Sequence, residues 1–152
     1  MKKILLLISS IFLIIMLTGC TKKTSITTKE FVSYAHEHTY EPYNIIEQYS
    51  QFTNIKEATL VRGREGWQIE FYVLIDANAA DNMFITNKNK FEKSKGTSSS
   101  SMNTSGTNYK TSTLKTNGEY KYISRIDNTL LFVDENANYE KEIKEFINEV
   151  GY

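Results

Sequence analysis

Two histidines, His36 and His38, flank Glu37, and they are the only histidines in the chain. On a helix, residues two apart do not share a face. The trio is therefore read as solvated side chains, and no metal site is expected. Zinc would also want thiolates, and the chain has one cysteine. No Asp/Glu run has the spacing of a calcium loop. Ser112-Thr113-Leu114-Lys115 has the Ser-x-x-Lys spacing of an activated serine, which requires a helix start to bring serine and lysine one turn apart. Here the four residues fall in an expected strand, where serine and lysine point to opposite faces. Gly63-Arg64-Glu65-Gly66 lacks the lysine and length of a phosphate loop and reads as a turn. Acidic residues such as Glu140 and Glu142 are expected on a solvated helix face. No catalytic residue and no cofactor is assigned.

One constellation suits binding. Arg125 is a charge within an apolar strand pattern, and Tyr120 and Tyr122 lie on the same segment. Gln68, Glu70 and Tyr72 alternate along another strand. A buried arginine wants a carboxylate, and Glu70 or Asp127 is the expected partner. Glu70, Tyr72, Tyr120, Tyr122 and Arg125 are thus read either as a cross-strand ion pair with neighbours or as a ligand platform of aromatics around one guanidinium.

The strongest chemical signal is Cys20. Lys2 and Lys3 precede the apolar run from Ile4 to Leu17, broken only by Ser9 and Ser10. A membrane-spanning helix needs about 20 apolar residues, so this shorter run reads as an export signal. It ends in Leu17-Thr18-Gly19-Cys20, which resembles the lipobox of bacterial lipoproteins. The resemblance implies diacylglycerol on the Cys20 thiol, cleavage of residues 1–19, and a new amino terminus open to fatty acylation such as palmitate. Residues 20–26 would then be a lipid-anchored tether, and the location would be the extracytoplasmic face of the cell membrane. Trp67-Gln68-Ile69-Glu70-Phe71-Tyr72, Asn87-Lys88-Asn89-Lys90-Phe91-Glu92 and Tyr122-Ile123-Ser124-Arg125-Ile126-Asp127-Asn128-Thr129 resemble small uncharacterised lipoproteins of Gram-positive bacteria. That likeness implies an address and no chemistry.

Loss of Lys2 and Lys3 leaves 16 basic against 18 acidic residues, a net charge of −2. Nucleic-acid binders usually carry a basic patch, so no nucleic-acid partner is expected. A lone cysteine allows no internal disulfide. The fold must rest on burial alone, and 133 mature residues suffice for one core.

The elements that must position these residues follow from pattern. Thr27 and Glu30 form a capping box for a helix carrying Phe31, Val32 and Ala35 and ending near His38. Tyr43–Glu47 reads as a short strand or a helical turn, and Glu57–Arg62 as a strand. In Trp67–Ile75, odd residues face one way and Gln68, Glu70, Tyr72 and Leu74 the other, so one face is expected buried and one wetter. A second helix is expected from about Asn78, with Ala80, Phe84, Asn87 and Phe91 at helical spacing. Gly96–Asn108 reads as a flexible loop. Strands are expected at Tyr109–Lys115, Glu119–Ile126 and Thr129–Asp134, with a hairpin at Asn117-Gly118. A last helix over Asn138–Val150 carries Ile143, Phe146, Ile147 and Val150. Residues 27–152 are thus expected to form one α+β domain, an antiparallel sheet with about three helices on one face in a two-layer sandwich. The functional expectation is a membrane-anchored, non-catalytic binding or interaction module for a protein or cell-envelope ligand. The alternatives are a small surface hydrolase acting on cell-wall material and a structural lipoprotein without a small ligand.

Overall fold

The computed structural model of the chain describes residues 22–152. Residues 1–21, including Cys20 and the expected export signal, lie outside the described residues. Helix α1 spans Thr28–Glu37 and starts at the expected capping box: Glu30 N–H donates to the Thr27 hydroxyl at 3.2 Å, and Thr27 N–H donates to the Glu30 carboxylate at 2.7 Å. Strand β1 (Glu41–Asn44) and a 3₁₀ turn (Ile46–Tyr49) share the segment expected to be one or the other. Strands β2 (Ile55–Arg62) and β3 (Gln68–Leu74) follow, then helix α2 (Ala77–Lys93), capped by Asp76. Strands β4 (Ser99–Ser105), β5 (Tyr109–Thr116), β6 (Glu119–Ile126) and β7 (Thr129–Asn136) lead to a 3₁₀ turn (Ala137–Tyr139) and helix α3 (Glu140–Glu149).

All seven strands join one antiparallel sheet in the order β1-β2-β3-β7-β6-β5-β4. Two meanders meet at β3 and β7, and α2 carries the chain from the centre to the far edge. The β5–β6 hairpin is the one expected: Asn117 (φ 51°) and Gly118 (φ 79°) both sit in the left-handed region that this tight turn demands. Gly63 is fixed differently. A Cβ there would meet the Trp67 indole at 2.0 Å, so only glycine lets the ring lie across the backbone.

The α+β class and the antiparallel sheet agree with expectation. The placement of all helices on one face does not. Phe31, Ala35, Ile69, Phe71, Leu131, Ile143 and Phe146 form one core, and Tyr72, Leu74, Ala80, Phe84, Phe91, Ile123 and Leu130 form another. Ile69 and Phe71 alternate with Tyr72 and Leu74 along β3, so the two cores occupy opposite faces. Helices α1 and α3 cover one face and α2 the other. Leu74 is as fully buried as Ile69, so both faces of β3 carry core.

The expected flexible loop at 96–108 is also corrected. Its central seven residues form β4, paired to β5 from Ser99↔Thr116 to Ser105↔Lys110. Serine and threonine lack the apolar alternation that marks a half-buried strand, and this one is exposed along its whole length. Beside the following turn, Lys23 N–H donates to the Asn108 side chain at 3.1 Å, and Asn108 returns a bond to Lys23 O at 2.8 Å. The segment expected as a tether is therefore fastened to the sheet from Lys23 on.

Candidate functional site

Around Trp67 and Phe146 the α1/α3 face is closed. Phe31 stacks on Phe71 at 4.8 Å, and Tyr40 meets Trp67 edge-on at 4.9 Å. Glu142 does not sit on a solvated face as expected. Its carboxylate accepts from Trp67 Nε1 at 2.7 Å and from the Tyr40 hydroxyl at 2.9 Å, tying α3 to the sheet. Glu140 is likewise engaged, with Lys144 at 2.6 Å and with Lys115. The histidines are peripheral to this core. His38 Nε2 lies 2.5 Å from Glu149, and no group of three metal-ligating side chains occurs among the described residues. Ser112 is buried with Leu114, while Lys115 reaches α3, so the Ser-x-x-Lys spacing is split across the sheet.

The α2 face is closed only in part. Between α2, the sheet and the turn after β1 lies a groove of about 450 Å³. Its walls are aromatic, from Tyr49, Phe52, Tyr72 and Phe132. The rim carries amides from Asn54, Asn82 and Asn87. Each part has a local cause. The 3₁₀ turn projects Tyr49 over β3, where its ring meets Tyr72 edge-on at 5.3 Å. Phe52 follows in the turn and remains 47% exposed. Helix α2 presents Asn82, Thr86 and Lys90 one turn apart, beside the stripe that buries Phe84 and Phe91.

The floor of the groove is polar. The hydroxyls of Tyr49 and Tyr72 lie 2.7 Å apart, and the Tyr72 hydroxyl donates to the Glu70 carboxylate. Burial pushes the Glu70 carboxyl above the usual carboxylate range, and the Tyr72 hydrogen bond opposes that rise. Burial likewise raises the Tyr72 phenol, with the adjacent Glu70 charge adding to it. Tyr49, less enclosed, is raised by burial as well. The result is a relay of two phenols ending on one carboxyl, which can both donate and accept hydrogen bonds in a sheltered setting. Lys90 stands on the rim and has no ion-pair partner among the described residues.

Of the residues expected to form a platform, Glu70 and Tyr72 meet here. Tyr120 and Tyr122 belong to the opposite core, and their separation follows from strand parity: Tyr120, Tyr122 and Ser124 point away from Lys121, Ile123 and Arg125. Arg125 shares the α2 face with Glu70 but pairs with neither expected carboxylate. Its Nε lies 3.3 Å from Asp81 on α2, without hydrogen-bond geometry, and Lys110 reaches the same Asp81 oxygen at 2.6 Å. Its Nη1 donates to the carbonyls of Asn108 and Asp127 at 3.2 and 3.3 Å. Arg125 thus pins α2 and two turns to the sheet. Tyr49, Phe52, Asn82 and Phe132 were not singled out from sequence, and Asn87 and Lys90 were named only within the second helix's pattern and the lipoprotein-like segment. The readable signals were the unexplained Phe52 in a turn and the polar stripe Asn82, Thr86, Lys90 flanking an apolar one.

No family model, no curated protein and no solved structure matches this chain.

Proposed function

We propose that this chain is an extracytoplasmic, lipid-anchored binding module whose ligand lies in the groove between α2 and β3. The anchor is the diacylglyceryl thioether on Cys20, and the membrane is its first partner. The reading for the anchor rests on the Lys2-Lys3 start, the short apolar run and Leu17-Thr18-Gly19-Cys20. The reading for the groove rests on one observation: an exposed Phe52 and a half-buried Tyr49 stand over a floor where Tyr72 holds Glu70.

Ligand sites are mostly apolar hollows with a few converging polar groups. This groove supplies flat aromatic walls, amide donors and acceptors at the rim, and a sheltered carboxyl at the base. A molecule with an apolar ring face and hydroxyl edges fits that combination. Sugar units of cell-envelope polymers have this pattern, and a domain fastened close to its lipid would meet them. The groove gathers one carboxyl, Glu70, among its lining residues. Binding needs no second acid, whereas glycoside hydrolysis of wall material uses a pair, so the binding reading is favoured over the hydrolase one.

A thermal-shift screen of the chain against envelope mono- and disaccharides and short wall peptides tests this. A saccharide should raise the melting temperature of the wild type, and Phe52→Ala should abolish that rise while keeping the unliganded melting temperature close to wild type. Shifts that survive Phe52→Ala and Tyr49→Ala, or the absence of any shift across the panel, would contradict the reading. For the anchor, Cys20→Ser should release the chain from the membrane fraction, and retention would contradict it.

A further inference from the structure

The two edges of the sheet are guarded unequally. Edge β1 is four residues long and carries Glu41 and Pro42, and the Arg62 guanidinium lies over the Tyr43 ring. Short length, proline and charge are how natural sheets discourage a further strand. Edge β4 has none of these over seven residues, Ser-Ser-Ser-Met-Asn-Thr-Ser. Its outer backbone N–H and C=O groups have no strand beside them among the described residues. Met102, the only large apolar side chain in β4, is 63% exposed at its midpoint.

We propose that β4 pairs antiparallel with β4 of a second copy of this chain, joining two sheets about a two-fold axis at Met102. The sequence is suited to its own reverse. Centred on Met102, the pairing sets Ser101 opposite Asn103, Ser100 opposite Thr104, and Ser99 opposite Ser105. No charge faces a like charge, and short hydroxyl and amide side chains meet across the strands, pairs that favour rather than oppose association. Met102 faces Met102, so the one exposed apolar group in the strand is covered by its own copy. Such an interface is isologous, as a closed dimer requires.

The surroundings of Met102 add a second reason. It lines a groove of about 340 Å³ on the α3 side, together with Tyr120, Tyr122, Ile147 and Tyr152. The Tyr120 hydroxyl is buried there without a hydrogen-bond partner. A second β4 beside the first closes the open side of that groove. One strand pair is a small interface compared with the standard of about 1,600 Å², so the dimer is weak in dilute solution and favoured when copies are concentrated on one surface.

Disulfide trapping tests the register. In an antiparallel pair, directly opposed Cβ atoms lie about 4.5–5.5 Å apart, close enough for bridging with slight adjustment. Met102→Cys in the full-length chain, oxidised in native lysate, should give a linked dimer band several-fold stronger than Thr104→Cys. The two Thr104 positions are offset by four residues, about 13 Å. The double variant Ser100→Cys with Thr104→Cys should link again, because these positions oppose each other, and wild type reports any contribution of Cys20. Equal linking in all variants, or linking in none, would overturn the proposal. A band that joins the Met102→Cys variant to a different protein instead of a second copy would overturn it too.

Discussion

The region around Phe146 on one face of this sheet and the region around Tyr72 on the other bury similar kinds of side chain and end in opposite states. On the α1/α3 side, a carboxylate is spent on closure: Glu142 accepts from both Trp67 and Tyr40, and aromatic rings fill the space around Phe146. On the α2 side, a carboxyl and two phenols also form a network, but Glu70, Tyr72 and Tyr49 line a hollow that the turn after β1 only half covers. The difference lies in where the polar network sits. One ties a helix to the sheet, and the other faces a space large enough for a ligand. Satisfied buried networks rigidify a core, whereas a network beside an open groove is available to something that enters it.

Substitutions should therefore act differently on the two sides. The largest effect is expected on the closed face. Trp67→Ala removes a fully buried ring and should cost about 3–5 kcal/mol of unfolding free energy in denaturant titration. A cost below that of a typical surface change would mean this face is less tightly closed than described. Glu142→Ala leaves the Trp67 N–H and the Tyr40 hydroxyl without their acceptor and should cost about 1–3 kcal/mol. Glu142→Gln keeps an acceptor and should recover part of that loss.

On the open face the effects are smaller. Tyr72→Phe deletes the hydroxyl linking Tyr49 to Glu70 and should cost about 1 kcal/mol. It should also raise the Glu70 carboxyl further, since the Tyr72 hydrogen bond is what holds it down. Glu70→Gln sharpens the comparison through pH. The folded carboxyl titrates above its ordinary value of 4.5, so the folded state binds the proton more tightly than the unfolded state. Its burden on stability is complete above the raised folded value, eases as pH falls through it, and is gone below the unfolded one. Wild type should thus lose stability relative to Glu70→Gln as pH climbs from the acid range towards 7. Parallel pH curves from chemical denaturation would show that Glu70 is not sheltered.

The parts legible in sequence are those decided locally. Thr27 and Glu30 sit three apart and form a cap wherever the helix packs. Asn117-Gly118 makes its hairpin because few other pairs accept two left-handed residues in succession. Which face each helix covers was not legible, because an apolar stripe marks the side of a helix that packs and carries no sign of which face of the sheet receives it. The overlooked clue lay in β3: Tyr72 and Leu74 are large hydrophobes on the side expected to be wetter, and both are buried. Strand β4 was missed since an edge strand of serine and threonine has backbone pairing and no buried face to mark it. Arg125 was expected to pair with Glu70 or Asp127, but the carboxylate beside it is Asp81 on α2, and only the packing of that helix brings it within reach. Glu70 and Tyr72, expected side by side on one platform, line one groove together, while strand parity carries Tyr120 and Tyr122 to the other face.

The open groove is the central claim, and amide chemical-shift mapping tests it most directly. The chain, isotopically labelled, would be titrated with solubilised envelope saccharides. Saturable shifts should appear at Tyr49–Ile55, at Asn82, Thr86 and Lys90, and around Glu70 and Tyr72, with Trp67 and Glu142 on the closed face unmoved. Shifts centred on the closed face, or a spectrum indifferent to every saccharide, would contradict the assignment of the groove as the binding site.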